Sequence, residues 1–147
     1  MYKRLLVPVD GGELSDRAIT ASLELAQQLG ATVIGFVAEP MPPLPSSARN
    51  EALLRGELRE HAAATRAHAQ TVLARFEAAA KAAGVAFEGW HDETPRVHKA
   101  IIAAAESKGC DLIIMVTHGR GAFGEFLFGS QTKAVLAESH IPLLVLH

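Results

Sequence analysis

The feature that most constrains this chain is the alternation of short, unbroken apolar runs with longer amphipathic segments, from the first residues to the last. Leu5-Leu6-Val7-Pro8-Val9 is apolar throughout, the pattern of a strand buried on both faces. Ala31 to Val37 repeats it, and Val85 to His91 is a weaker version carrying Glu88 and Gly89. Asp111 to Val116 is more apolar still, and Ile141 to Leu146 closes the series. Gly11-Gly12 ends the first run, and Ser15 is the expected N-cap of a helix whose Ala18, Leu25, Ala26 and Leu29 keep helical spacing up to Gly30. A second helix is expected from about Arg49 to Ala83, with Leu54, Leu58, Ala62, Ala69, Leu73, Phe76 and Ala80 as its apolar stripe. Thr94-Pro95 reads as an N-cap followed by a first-turn proline, opening a helix with Val97, Ala100, Ile101, Ala104 and Ala105 on one face. A last helix is expected from Ser130 to about Ser139.

Alternation of this kind calls for a parallel sheet with helices on both faces, an α/β fold. A length of 147 residues fits a single domain over residues 1–147. Residues 39–48 are too proline-rich for either regular structure and read as a mobile loop within that domain. Strand order is not readable from the residues. In such sheets ligands bind beyond the carboxyl ends of the strands, where the order reverses. Two segments suit that place: Pro8-Val9-Asp10-Gly11-Gly12 and Val116 to Ser130.

Composition excludes several classes. A net charge of -2 argues against a nucleic-acid binder, which would carry a basic stripe or tail. Met1-Tyr2-Lys3-Arg4 is followed by only five apolar residues before Asp10, too short for a secretory segment, and no run is long enough to span a bilayer. A cytoplasmic location is expected. Cys110 is the sole cysteine, which rules out an internal disulfide or a thiolate cluster, and it reads as a small packed residue.

The segment from Thr117 to Ser130 leaves a buried strand, holds four glycines and ends in Gly129-Ser130 at a helix start. Glycine lets a ligand approach the backbone, and amides at a helix start favour an anion. Ser130 and Thr132 add hydroxyls, and Arg120 and Lys133 add positive charge. A flexible loop with Ser130 capping its helix fits the same residues, so both readings stand. Asp10 is likewise either a ligand contact or a plain turn residue. His91, Asp92, Glu93 and His98 match no standard metal-ligand spacing. His61 and His68, seven residues apart on the Ala-rich helix, read as a solvated face.

Lys3-Arg4-Leu5-Leu6-Val7-Pro8-Val9-Asp10-Gly11, then His118-Gly119-Arg120, then Gly129-Ser130 and the closing Ile141-Pro142-Leu143-Leu144-Val145, fall in an order and at distances that resemble the universal stress protein family over essentially the whole chain. The resemblance implies an adenine-nucleotide alpha hydrolase-like fold, a five-stranded parallel sheet of order 3-2-1-4-5. It also implies a ligand, ATP, ADP or AMP, with Mg2+ accompanying the nucleotide. ATP-binding members share a loop of Gly, two residues, Gly, nine residues, then Gly-Ser or Gly-Thr. On this chain the second and third glycines are Gly119 and Gly129, Ser130 is in place, and the first glycine falls on Val116, a departure from the pattern. By the same resemblance Asp10 reaches the ribose, Pro8 and Val9 line the adenine pocket, and Val37 offers backbone bonds to the adenine edge. His118, Gly119, Arg120, Gly129, Ser130, Gln131 and Thr132 would surround the phosphates.

The function expected is that of a nucleotide-binding stress-response regulator with little or no turnover, since no placed base, nucleophile pair or acidic cluster is visible. The alternative is a nucleotide-free dimeric interaction module. An adenylating or hydrolysing enzyme would need a Ser-Gly-Gly loop after the first strand, which is absent. The family resemblance also points to a homodimer, formed through the uncharged last strand, Leu143 to Leu146.

Overall fold

The computed structural model describes residues 1–41, 51–117 and 129–147. In chain order the elements are β1 (Arg4–Pro8), α1 (Glu13–Leu29), β2 (Thr32–Pro40), α2 (Glu51–Ala83), β3 (Phe87–Thr94), α3 (Val97–Ser107), β4 (Leu112–Val116), α4 (Ser130–Glu138) and β5 (Leu143–Leu146). The five strands form one parallel sheet of order β3-β2-β1-β4-β5. This is the α/β architecture and the strand order expected. Among the described residues, no helix is long and apolar enough to cross a membrane.

The unbroken apolar runs are explained by two cores, one on each face. Leu5, Val7, Val33, Leu112 and Ile114 point to the side covered by α1 and α2. Leu6, Ile34, Phe36, Ile113 and Met115 point to the side covered by α3 and α4. Leu5, Leu6 and Val7 are all 0% exposed, so consecutive residues of β1 are fully buried on opposite faces. Each such side chain contributes about 1.5–3 kcal/mol.

Several boundaries differ from the sequence reading, each for a local reason. Ser15 is not an N-cap: α1 begins at Glu13 with Gly12 in the cap position, and Ser15 is buried in the first turn. Both β2 and β3 run further than their apolar content suggests, pairing up to Pro40 with Thr94. Glu39 and Pro40 therefore belong to β2, and the rest of the proline-rich stretch, from residue 42, lies outside the described residues. Thr94 closes β3 instead of capping a helix. Its hydroxyl accepts the Arg96 amide at 3.0 Å, and α3 starts at Val97.

Gly35 and Gly89 face each other in the β2–β3 ladder. At Gly35 the missing side chain makes room for two rings: a Cβ there would sit 2.7 Å from Phe76 Cδ1 and 2.8 Å from Phe87. Those rings meet at a tilt of 57°, 4.8 Å between centroids, and seal α2 onto the sheet. At the opposite, amino-terminal end of the sheet, Asp111 accepts the Lys3 and Arg4 amides, and Glu88 pairs with Lys108 and Arg4. The Lys108 ammonium bonded to Glu88 holds its carboxyl below the usual carboxylate range. Lys108 also lies 4.1 Å over the ring of Trp90, so charge covers part of the exposed edge of β3.

Gly35→Val should destabilise the fold by about 1–3 kcal/mol through overpacking against the two phenylalanines. Urea unfolding checks it, and an unchanged midpoint would show that the ring pair has room to give.

Candidate functional site

The strand order places β1 between β2 and β4, and the crossover connections leave in opposite directions from that point. The carboxyl ends of β1 and β4 therefore diverge, which opens a cleft. It measures about 280 Å³. Pro8, Ala38, Val97, Ile101 and Met115 give it an apolar wall, while Asp10, Ser15 and Gln131 supply polar groups.

The Asp10 turn is the most organised polar feature. Val9 still belongs to the sheet, donating its amide to the Phe36 carbonyl at 2.8 Å. The chain then turns at Gly11, whose φ of +86° lies in the left-handed region open to glycine. The Ser15 hydroxyl accepts the Asp10 and Gly11 amides at 2.9 and 3.0 Å and donates to Asp10 Oδ1 at 2.9 Å. That uses the full capacity of one hydroxyl, two acceptor sites and one donor. Oδ1 also takes the Gly12 amide at 2.8 Å, at the start of α1. Asp10 Oδ2 has no partner among the described residues. An exposed carboxylate with one oxygen fixed and the other unpaired is suited to a hydroxyl donor on a ligand.

Across the cleft, α4 begins at Gly129 and Ser130, both exposed, with no side-chain cap and no acid in its first turn. A Cβ on Gly129 would meet nothing within 4 Å. Ser130 is thus free of the capping role that the flexible-loop reading gave it. Gln131 lines the cleft, and its Oε1 accepts the His98 amide at 3.0 Å, which ties α4 to the first turn of α3. Thr132 faces inward and is buried.

The structure therefore brings Pro8, Val9, Asp10, Val116 and Gln131 together around one cleft, with Gly129 and Ser130 immediately before Gln131. Val116 is half-buried and packs against the core beneath α1 and α2 as well as bordering the cleft. The Val37 side chain is buried in that same core, which leaves its backbone as the group that could face a ligand, and its neighbour Ala38 lines the cleft. His118, Gly119 and Arg120 lie outside the described residues.

Two residues were missed by sequence reasoning. Ser15 was read as a cap because a serine after Gly-Gly has that pattern. His68, read as solvated, places its Nε2 2.9 Å from the Asp10 carbonyl. His68 is exposed, as read, but it lies four residues before the core residue Val72, one turn along the same helix face, which puts it within reach of the sheet. His61, read as solvated, is half-buried, and its Nε2 is enclosed without a hydrogen-bond partner among the described residues. His91 pairs with Glu39, and His98 with Glu138. Cys110 is buried, and that burial pushes its thiol up to about 11.

Residues 1–147 match the universal stress protein family. The chain belongs to that family. A universal stress protein of Thermus aquaticus, "in QAH/OAS sulfhydrylase 3'region", is 33% identical over 146 residues, covering 99% of this chain and 98% of the relative. Among solved structures, the universal stress protein UspA from Lactobacillus plantarum is similar with a TM-score of 0.78 and 22% identity, over 99% of this chain and 98% of that one. A universal stress protein solved in complex with cAMP is similar with a TM-score of 0.70 and 24% identity, over 99% and 97%. At those identities the solved structures speak to the fold of this universal stress protein.

Proposed function

We propose that this universal stress protein binds an adenine nucleotide in the cleft beyond β1 and β4, and acts as a stress-response regulator that holds the nucleotide with little or no turnover. The observation that carries the reading is the Asp10 turn: a carboxylate locked by Ser15 and Gly12, with Oδ2 left to receive a ribose hydroxyl. The apolar wall of Pro8, Ala38, Ile101 and Met115 suits a flat base. At about 280 Å³ the cleft lies near the lower end of small-molecule sites, roughly 300–1,000 Å³, enough for base and sugar with the phosphates outside it. The uncapped, acid-free start of α4 is where phosphates would lie, against amides that favour anions. The neighbour of like fold solved with cAMP supports adenine as the base. ATP is the nucleotide proposed, with ADP and AMP as the other candidates and Mg2+ brought by the phosphates. Val116 narrows the site, and its packing against the core supports weakened but surviving binding.

We propose further that the chain forms a homodimer through β5. Among the described residues the strand pairs only with β4, which leaves its other edge open there, and Leu143 to Leu146 carries no charge. A groove of about 290 Å³ runs beside it, between Arg17 and Ala21 of α1 and Val145 and His147.

Two measurements test these readings. In a thermal-shift panel of ATP, ADP, AMP and cAMP, a nucleotide present at about 100 times its Kd should stabilise the fold by about 2.7 kcal/mol, a rise of several degrees. No shift with any of the four would favour the nucleotide-free interaction module. In sedimentation at micromolar concentration the wild type should run as a dimer and Val145→Lys as a monomer. A monomeric wild type would overturn the dimer.

A further inference from the structure

Helix α2 reaches the ligand side of the sheet, and its contact there is specific. His68 Nε2 lies 2.9 Å from the carbonyl oxygen of Asp10. The backbone turns next to it at Gly11, where a Cβ would sit 2.8 Å from Val72 Cγ2 and 3.1 Å from His68 Cε1. The helix is thus seated directly on the turn. Ala69 and Val72, one and four residues after His68, are core residues, so His68, itself exposed, projects from the point where α2 becomes fixed to the sheet.

We propose that His68 is a positioning residue of the nucleotide site: it donates Nε2–H to the Asp10 carbonyl and holds the exposed Asp10–Gly11 peptide in the orientation that aims the Asp10 carboxylate at the cleft. The inference rests on the adenine-nucleotide reading above. Ser15 fixes the amides and the side chain of Asp10, and His68 fixes the carbonyl, so the turn is gripped from α1 on one side and α2 on the other. A carbonyl only accepts, so His68 must carry a proton on Nε2. The neutral Nε2–H tautomer and the imidazolium both provide it, and the contact does not depend on charge. A glutamine amide can make the same bond. An alanine or a phenylalanine cannot.

The test combines calorimetric titration with AMP and backbone-amide exchange of Gly12 in the ligand-free protein. It compares wild type with His68→Ala, His68→Phe and His68→Gln. Phenylalanine keeps the ring volume and loses the donor, which separates packing from hydrogen bonding and covers an alanine variant that fails to fold. His68→Ala and His68→Phe should each weaken AMP binding by about 5- to 10-fold, the worth of one hydrogen bond, and speed Gly12 exchange. His68→Gln should restore both. Wild-type behaviour in His68→Phe, or a glutamine variant as impaired as the phenylalanine one, would overturn the proposal. A wild type that takes up no AMP would overturn the nucleotide reading alone. Gly12 exchange would then still decide whether His68 holds the turn.

Discussion

The structure depends on the burial of β1 on both faces and along both edges. Leu5, Leu6 and Val7 have no exposed surface, and the strand pairs with β2 on one side and β4 on the other. A parallel strand can be enclosed that way only if helices cross over both faces. The chain does this by sending α1 and α2 to one face and α3 and α4 to the other. Once β1 is central, the ladder order reverses beside it, and a gap must open at the carboxyl ends of β1 and β4. The cleft is thus a consequence of how the core is covered.

The polar groups at that gap are arranged with economy. Asp10 leaves the sheet at the point where hydrogen-bond partners run out, and a buried serine and a histidine of α2 replace them. These contacts leave one carboxylate oxygen of a cleft-lining residue without a partner among the described residues. Opposite, α4 begins without a capping side chain, and Gln131 is held by the first turn of α3. A site whose two sides come from different helices is set by the packing of those helices, so changes in the core reach it directly.

The fold was legible because strands buried on both faces leave an unbroken apolar run, as in Leu5 to Val9 and Leu112 to Val116. The strand order was not. It came from family resemblance, since periodicity carries no information about which strands are neighbours. Boundaries were lost where backbone pairing overrode composition: Glu39-Pro40 and Asp92-Glu93-Thr94 look like loop, yet the β2–β3 ladder continues through them. At the site, Asp10 and the Gly129-Ser130 helix start were visible as local patterns. Ser15 and His68 were not, because their roles exist only when the start of α1 and the middle of α2 meet the end of β1. Alternation in a strand that continues to Pro40 turns the Val37 side chain to the core and Ala38 to the cleft, which leaves only the Val37 backbone for the role the resemblance gave it.

The central claim is that the unpaired oxygen of Asp10 receives a ribose hydroxyl of an adenine nucleotide. Calorimetric titration of ATP into wild type and Asp10→Ala, with the fold of each checked by circular dichroism, tests it most directly. Saturable binding of one nucleotide per chain is expected for wild type, with affinity reduced by about 10-fold or more in the variant, the worth of a hydrogen bond to a charged group. Equal affinity in a folded Asp10→Ala protein would contradict the claim.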